Sequence, residues 1–122
     1  MGTVSLSGPD FAAVTQAEGI VLVDFRDAAS GSSRAFAEVF DATAARHPDL
    51  RFTSVDLQVE PALAAAVGVQ RAPSLMVFRD GVPVFAEPGW LPADSVELLI
   101  ATIRELDMAA VRETFPEPVR RV

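Results

Sequence analysis

Residues 20–25 read Ile-Val-Leu-Val-Asp-Phe, and residues 28–33 read Ala-Ala-Ser-Gly-Ser-Ser. The first run is β-branched or aromatic almost throughout, which is typical of a central strand buried on both faces. The second run contains only small residues, and a helical pattern begins within it, with Phe36, Val39 and Phe40 at helical spacing. The sequence therefore predicts a buried strand that leads through a small-residue turn into a helix.

An acidic residue, Asp24, lies inside the buried run. Burying a carboxylate without a partner costs free energy and tends to raise its pKa. We therefore treat Asp24 as a candidate site residue.

Helix and strand patterns alternate along the rest of the chain. The predicted elements are a short helix before Gly19, a strand over Leu50–Leu57, a helix over Pro61–Val67, a hairpin over Ser74–Ala86 with its turn at Asp80-Gly81, and a helix over Pro92–Leu106. Two strand–helix–strand units imply parallel pairing, and the hairpin adds antiparallel strands. The predicted fold class is α/β, with a central mixed sheet flanked by helices on both faces.

The chain has the size of one domain. It contains 122 residues, of which 50% are apolar and 22% charged, with no repeat or linker. We assign residues 1–106 to the domain and residues 107–122 to a C-terminal helical extension and tail, of which the Pro-bearing end is expected to fray.

The charge of the chain limits its partners. A net charge of −7 argues against nucleic acid and against an anionic membrane surface, because both need a cationic face. No apolar stretch approaches the ~20 residues that span a bilayer. The first residues lack a charged start and an apolar signal core, so a cytoplasmic protein is expected.

Several residue types are absent. The chain has no cysteine, and all ten of its basic residues are arginine. Thiolate nucleophiles, iron–sulfur clusters and lysine Schiff bases are therefore excluded. A single histidine, His47, cannot build a two-histidine zinc motif. The sequence predicts no cofactor and no metal.

Four segments together resemble the thioredoxin family in their order and spacing. They are Val21–Phe25, Arg71–Leu75, Phe78–Gly81 and Gly89. The resemblance covers about Val4 to Leu106, and it implies the family's central mixed sheet flanked by helices.

The chain departs from the family at the turn that carries W-C-G-P-C in thioredoxins. Those positions read Ala29-Ser30-Gly31-Ser32-Ser33, and an earlier family tryptophan is replaced by Arg26. A serine hydroxyl neither ionises near neutral pH nor forms a dithiol couple, so the chain as written cannot exchange disulfides. By resemblance, Asp24 matches the buried carboxylate that assists proton transfer at the resolving cysteine. Without that cysteine, its role becomes structural or vestigial.

The resemblance also implies a peptide-binding groove. Ala72-Pro73 matches the family's cis-proline loop, which pairs with the backbone of a bound extended chain, and a cis bond is expected before Pro73. By the same carry-over, one shallow groove for a protein or peptide partner is rimmed by Ser30, Gly31, Ala72, Pro73, Gly89 and Trp90.

Three functions remain open from the sequence. The first is a redox-inactive thioredoxin-like protein that binds a peptide or partner in this groove. The second is a thiol–disulfide oxidoreductase whose cysteines at positions 30 and 33 were exchanged for serine by mutagenesis. The third is a serine nucleophile at Ser30 or Ser33, although small residues that cap a helix explain both better.

Three further side chains carry simpler expectations. His47 is expected to be a solvated histidine at a helix C-terminus. Arg26 and Asp27 are expected to be solvated charges or a weak ion pair. Trp90 is expected either to anchor a partner or to pack over the last helix.

Overall fold

The computed structural model describes residues 2–114. Its sheet contains five strands in the order β1-β3-β2-β4-β5. The strands are β1 (Val4–Ser5), β2 (Ile20–Arg26), β3 (Arg51–Asp56), β4 (Ser74–Arg79) and β5 (Val82–Pro88). The helices are α1 (Gly8–Thr15), α2 (Gly31–Arg46), α3 (Pro61–Ala66), α4 (Ala93–Arg104) and α5 (Met108–Thr114).

The sheet is mixed. Strands β1, β3 and β2 are mutually parallel, whereas β4 runs antiparallel to β2 and β5 antiparallel to β4. This arrangement confirms the predicted α/β fold with a mixed sheet. No helix within residues 2–114 is long and apolar enough to cross a membrane.

Strand β2 separates two apolar cores. Because side chains alternate along a strand, Val21, Val23 and Phe25 enter one core together with Phe11 of α1. On the opposite face, Leu22 packs in a core with side chains of α2 and α4. Burial of β2 on both faces explains the nearly continuous apolar run in the sequence.

Strand register brings three loops to one edge of the sheet. The parallel strands β2 and β3 end at this edge. Phe25 at the end of β2 pairs with Ser74 at the start of β4, and Ser74 pairs with Pro88 at the end of β5. The segments that follow β2, precede β4 and follow β5 are therefore neighbours.

Most predicted elements are confirmed within a few residues of their expected ends. The expected last helix, Pro92–Leu106, is shorter at both ends, since α4 covers Ala93–Arg104. Strand β1 was not predicted, because two residues are too few for an alternating pattern to emerge. Beyond the proposed boundary at residue 106, α5 buries Met108. The expected frayed tail lies, from residue 115 onward, outside the described residues.

Candidate functional site

The turn between β2 and α2 is held by its serines. The Ser30 hydroxyl accepts a hydrogen bond from the backbone N–H of Ser33 at 3.2 Å, so Ser30 is the N-cap of α2. The buried Ser33 hydroxyl accepts a hydrogen bond from the N–H of Asp27 at 2.9 Å. Both hydroxyls thus satisfy backbone donors of the turn.

Neither serine hydroxyl has a general base within hydrogen-bond distance among the described residues. Within residues 2–114, the only side chain that hydrogen-bonds the Ser30 hydroxyl is that of Ser32, at 3.2 Å. The imidazole of His47 lies at the other end of α2 and contacts Glu97 instead. A serine nucleophile needs an adjacent base, so this geometry favours the capping interpretation over catalysis.

The buried carboxylate is paired with an arginine of its own strand. Asp24 has no exposed surface, and its Oδ2 lies 2.9 Å from Nε and 2.8 Å from Nη2 of Arg26. Residues 24 and 26 share a face of β2 because side chains repeat every second residue. The expectation of a solvated Arg26 is therefore wrong.

Arg26 also links the strand to α2. Its Nη2 lies 3.1 Å from Oδ1 of Asp41, and the same oxygen accepts a hydrogen bond of 2.6 Å from the Thr3 hydroxyl. The guanidinium carbon lies 5.9 Å from the centre of the Phe40 ring. One arginine thus joins a buried acid, an exposed acid and an aromatic ring.

Burial and the ion pair act in opposite directions on Asp24. Burial raises the pKa of its carboxyl to about 6, although the charge and hydrogen bond of Arg26 limit the increase. Burial by itself would lower the pKa of Arg26. The charge of Asp24 and the hydrogen bonds to Asp41 and Asp24 outweigh that effect, so the pKa of the guanidinium lies above its usual value.

Asp27 organises the turn and does not pair with Arg26. Its Oδ1 accepts hydrogen bonds from the N–H of Ala29 at 2.9 Å and from the side-chain amide of Gln58 at 2.8 Å. Of the two expectations for Asp27, a solvated charge or an ion pair with Arg26, the ion pair is not seen within residues 2–114. The contact of Asp27 with Gln58 ties the turn to the loop after β3.

The segment before β4 presents an unpaired backbone. The Ala72–Pro73 peptide bond is cis, and the carbonyl of the buried Pro73 accepts a hydrogen bond of 2.8 Å from the N–H of Gly89. The N–H and C=O of the half-buried Ala72 make no hydrogen bond to any part of the chain that the structure describes. They are available to a bound chain.

The six residues predicted to rim a groove follow the strand ends at one sheet edge. Ser30 and Gly31 come after β2, Ala72 and Pro73 come before β4, and the last pair, Gly89 and Trp90, comes after β5. Trp90 is 48% exposed, so it does not lie buried against the last helix. We call this set of six residues the edge groove, after the peptide-binding groove that the resemblance predicts.

A cleft that the sequence did not predict lies next to the edge groove. Residues 67–71 form one wall, residues 74–76 the floor and residues 86–88 the other wall, around a volume of about 330 Å³. We call it the β4–β5 cleft. Its walls come from segments far apart in sequence, so no local pattern could have indicated it.

His47 is not a solvated histidine. Its Nε2 lies 2.7 Å from Oε1 of Glu97, its ring stacks on Phe52, and its side chain is only 18% exposed. The hydrogen bond from His47 is the main reason that the pKa of Glu97 lies below its usual value. These contacts join α2 to α4 away from the edge groove.

Comparisons with known proteins agree with this fold. The thioredoxin family model matches residues 3–102. The chain is 37% identical over 115 residues to a Streptomyces coelicolor protein named "Putative thioredoxin 2". This alignment covers 94% of the chain and 86% of that protein. The chain is also 33% identical over 98 residues to thioredoxin of Chlamydia muridarum. That alignment covers 80% of the chain and 96% of the Chlamydia protein.

A solved structure gives the same assignment. A single-site mutant of the thioredoxin from Halobacterium salinarum superimposes with a TM-score of 0.79 at 28% identity, over 86% of this chain and 93% of that one. Family model, relatives and structure therefore coincide with the resemblance first seen around the buried strand. The chain belongs to the thioredoxin family.

Proposed function

We propose that this chain is a redox-inactive member of its family that binds an extended peptide or partner protein in the edge groove. The backbone of Ala72 carries the proposal, since its N–H and C=O have no acceptor or donor among the described residues. An extended peptide satisfies such groups with strand-type hydrogen bonds.

Two other parts of the edge groove support peptide binding. Trp90 presents a large, half-exposed apolar ring, and tryptophan is enriched among the residues that dominate binding energy. Gly31 is exposed at the first turn of α2, and the residues before and after it in sequence are serines, so a peptide can approach the backbone there. A peptide between them would meet an apolar ring on one side and backbone donors on the other.

Two observations support the proposed loss of redox chemistry, namely the absence of cysteine and the contacts of Arg26. The chain has no cysteine. Exchange of two cysteines for serine by mutagenesis would leave the family tryptophan in place, whereas Arg26 here pairs with both Asp24 and Asp41. This observation favours serine as the natural residue at positions 30 and 33.

We also propose a cytoplasmic location. The net charge of −7 favours proteins as partners over nucleic acids or membranes.

Selection from a displayed library of random 12-residue peptides tests binding. Peptides enriched on the wild-type chain should lose about tenfold or more in affinity with Trp90→Ala. Leu98→Ala is the matched control, because Leu98 is 69% exposed but lies on α4. Failure to enrich any peptide, or equal loss in both variants, would contradict the proposal.

The natural gene tests the redox part separately. Serine codons at positions 30 and 33 are the expected result. Cysteine codons would instead identify a disulfide oxidoreductase that acts through thiolate attack from position 30 and resolution from position 33.

A further inference from the structure

The β4–β5 cleft continues from the edge groove on the face of the sheet that carries α3. Its wall at residues 67–71 leads directly into Ala72, and its other wall at residues 86–88 leads directly into Gly89. A peptide that pairs with the backbone of Ala72 therefore has its next side chains at the mouth of this cleft.

The lining of the cleft is partly apolar and partly polar, and its apolar part can take one apolar side chain. Val67 and Val69 line one wall, Met76 lies on the floor, and Ala86 and Pro88 line the other wall. A side chain of leucine or isoleucine size would bury apolar surface there without displacing a protein group. The apolar lining does not determine which residues should flank that side chain in the peptide.

Two oppositely charged residues line the cleft and determine which peptide residues can flank the apolar side chain. Arg71 and Glu87 are exposed, and neither side chain has an ion pair or hydrogen bond with another residue in the range 2–114. Most other arginines in that range contact carboxylates or carbonyl oxygens. Arg71 is therefore one of the few cations of this acidic chain that is left for an external carboxylate.

The backbone at Arg71 is held in place. The Ser74 hydroxyl donates a hydrogen bond of 2.7 Å to the carbonyl oxygen of Arg71. This bond fixes the start of the side chain next to the cleft, which lowers the entropy lost when the guanidinium binds a partner.

We infer that the β4–β5 cleft is a specificity subsite for a bound peptide and takes an apolar side chain that is flanked on one side by an acidic residue. Arg71 binds the acidic residue, whereas Glu87 repels a second acid on the other side. The inference rests on the proposed function, since it concerns the same bound peptide.

The displayed 12-residue library tests this subsite through charge reversal. Peptides enriched on the wild-type chain should share an aliphatic residue next to one Asp or Glu. Arg71→Glu should weaken these peptides about tenfold, the loss expected for one charge-assisted contact. Arg51→Glu is the matched control, because Arg51 is exposed and has no partner within the described range, but it lies at the opposite end of the sheet.

Amidation of the peptide acid completes the test without changing the protein. Replacing it by Asn or Gln should weaken binding to the wild type but strengthen binding to Arg71→Glu, because it removes the like-charge repulsion at position 71. Peptides that depend on Trp90 but show no acidic preference, or that tolerate Arg71→Glu as well as Arg51→Glu, would overturn the subsite and leave the proposed function intact. If no peptide is enriched, both fail.

Discussion

The guanidinium of Arg26 lies 2.8 Å from the carboxylate of Asp24, which has no exposed surface. A buried carboxylate is tolerated when a hydrogen-bonded cation offsets the loss of hydration. Only Oδ2 is satisfied in this way, because Oδ1 has no hydrogen-bond partner among the described residues. The pair is thus incompletely satisfied, which makes stability sensitive to either partner and to pH.

Replacing the cation by an apolar chain of similar length should expose this dependence. We expect Arg26→Met to lower the free energy of unfolding by about 3 kcal/mol at pH 8, because Asp24 becomes an uncompensated buried charge. At pH 5 the loss should be smaller, since Asp24 can then be protonated. Urea unfolding at both pH values measures the difference. Equal losses at pH 5 and pH 8 would mean that Arg26 contributes by packing alone.

The pKa of Asp24 also predicts how wild-type stability varies with pH. Its value of about 6 in the folded chain lies above the ordinary 3.8. A raised pKa means that the folded state binds the proton more tightly than the unfolded state. The resulting stability is complete below about pH 4 and is lost as the pH rises through 6. At 1.36 kcal/mol per pKa unit, the loss between these limits amounts to about 3 kcal/mol.

Asp24→Asn isolates this contribution from other titrations. The variant should be as stable as the wild type near pH 4 and more stable above pH 7, by up to about 3 kcal/mol. Asp49 and Glu97 act in the opposite direction, since their pKa values are lowered and their contribution is lost only in acid. Parallel stability curves for the two proteins from pH 4 to 8 would contradict the assignment to Asp24.

The sequence predicted the fold well where the signal was local. The apolar run around β2, the Asp80-Gly81 turn and the helical spacing in α4 each depend on neighbours a few residues apart, and all three are confirmed. The two-residue β1 was missed because two residues are too few to show an alternating pattern, and only the pairing with β3, about fifty positions away, defines it as a strand.

The candidate site was predicted less completely, for the same reason. A period of two along a strand already places Asp24 and Arg26 on one face, so that pair was within reach of the sequence. The contacts of Arg26 with Asp41, and of His47 with Glu97, depend on how helices pack and could not be read from spacing. The β4–β5 cleft was likewise unpredictable.

Restoring the thiols tests what Arg26 does to the site. The double variant Ser30→Cys, Ser33→Cys should recover disulfide reduction, because the start of α2 lowers a thiol pKa. Adding Arg26→Trp removes the cation that lowers the pKa of Asp24, so the carboxylate becomes a stronger base for the second cysteine. We expect the triple variant to reduce insulin disulfides about tenfold faster than the double variant. Equal rates would show that Arg26 does not affect proton transfer.

The contact between Arg79 and the end of α4 predicts a stability effect far from the groove. Nη1 of Arg79 lies 2.8 Å from the carbonyl oxygen of Ile103 and 3.0 Å from that of Leu106, and the Arg79 side chain is only 23% exposed. Ile103 lies in the last turn of α4 and Leu106 lies two residues beyond it, so a charged donor from the hairpin stabilises the carbonyl oxygens at this helix end.

Removing this donor should loosen the junction between the hairpin and the last two helices. Arg79→Met is expected to lower the free energy of unfolding by about 2 kcal/mol, the contribution of hydrogen bonds from a charged group. Amide hydrogen exchange should become faster at the end of α4 and in α5, while the centre of β2 changes only with global stability. Arg51→Met serves as the control, because the Arg51 side chain makes no contact of this kind within the described range. Equal unfolding energies for the two variants would show that Arg79 does not hold these helices to the sheet.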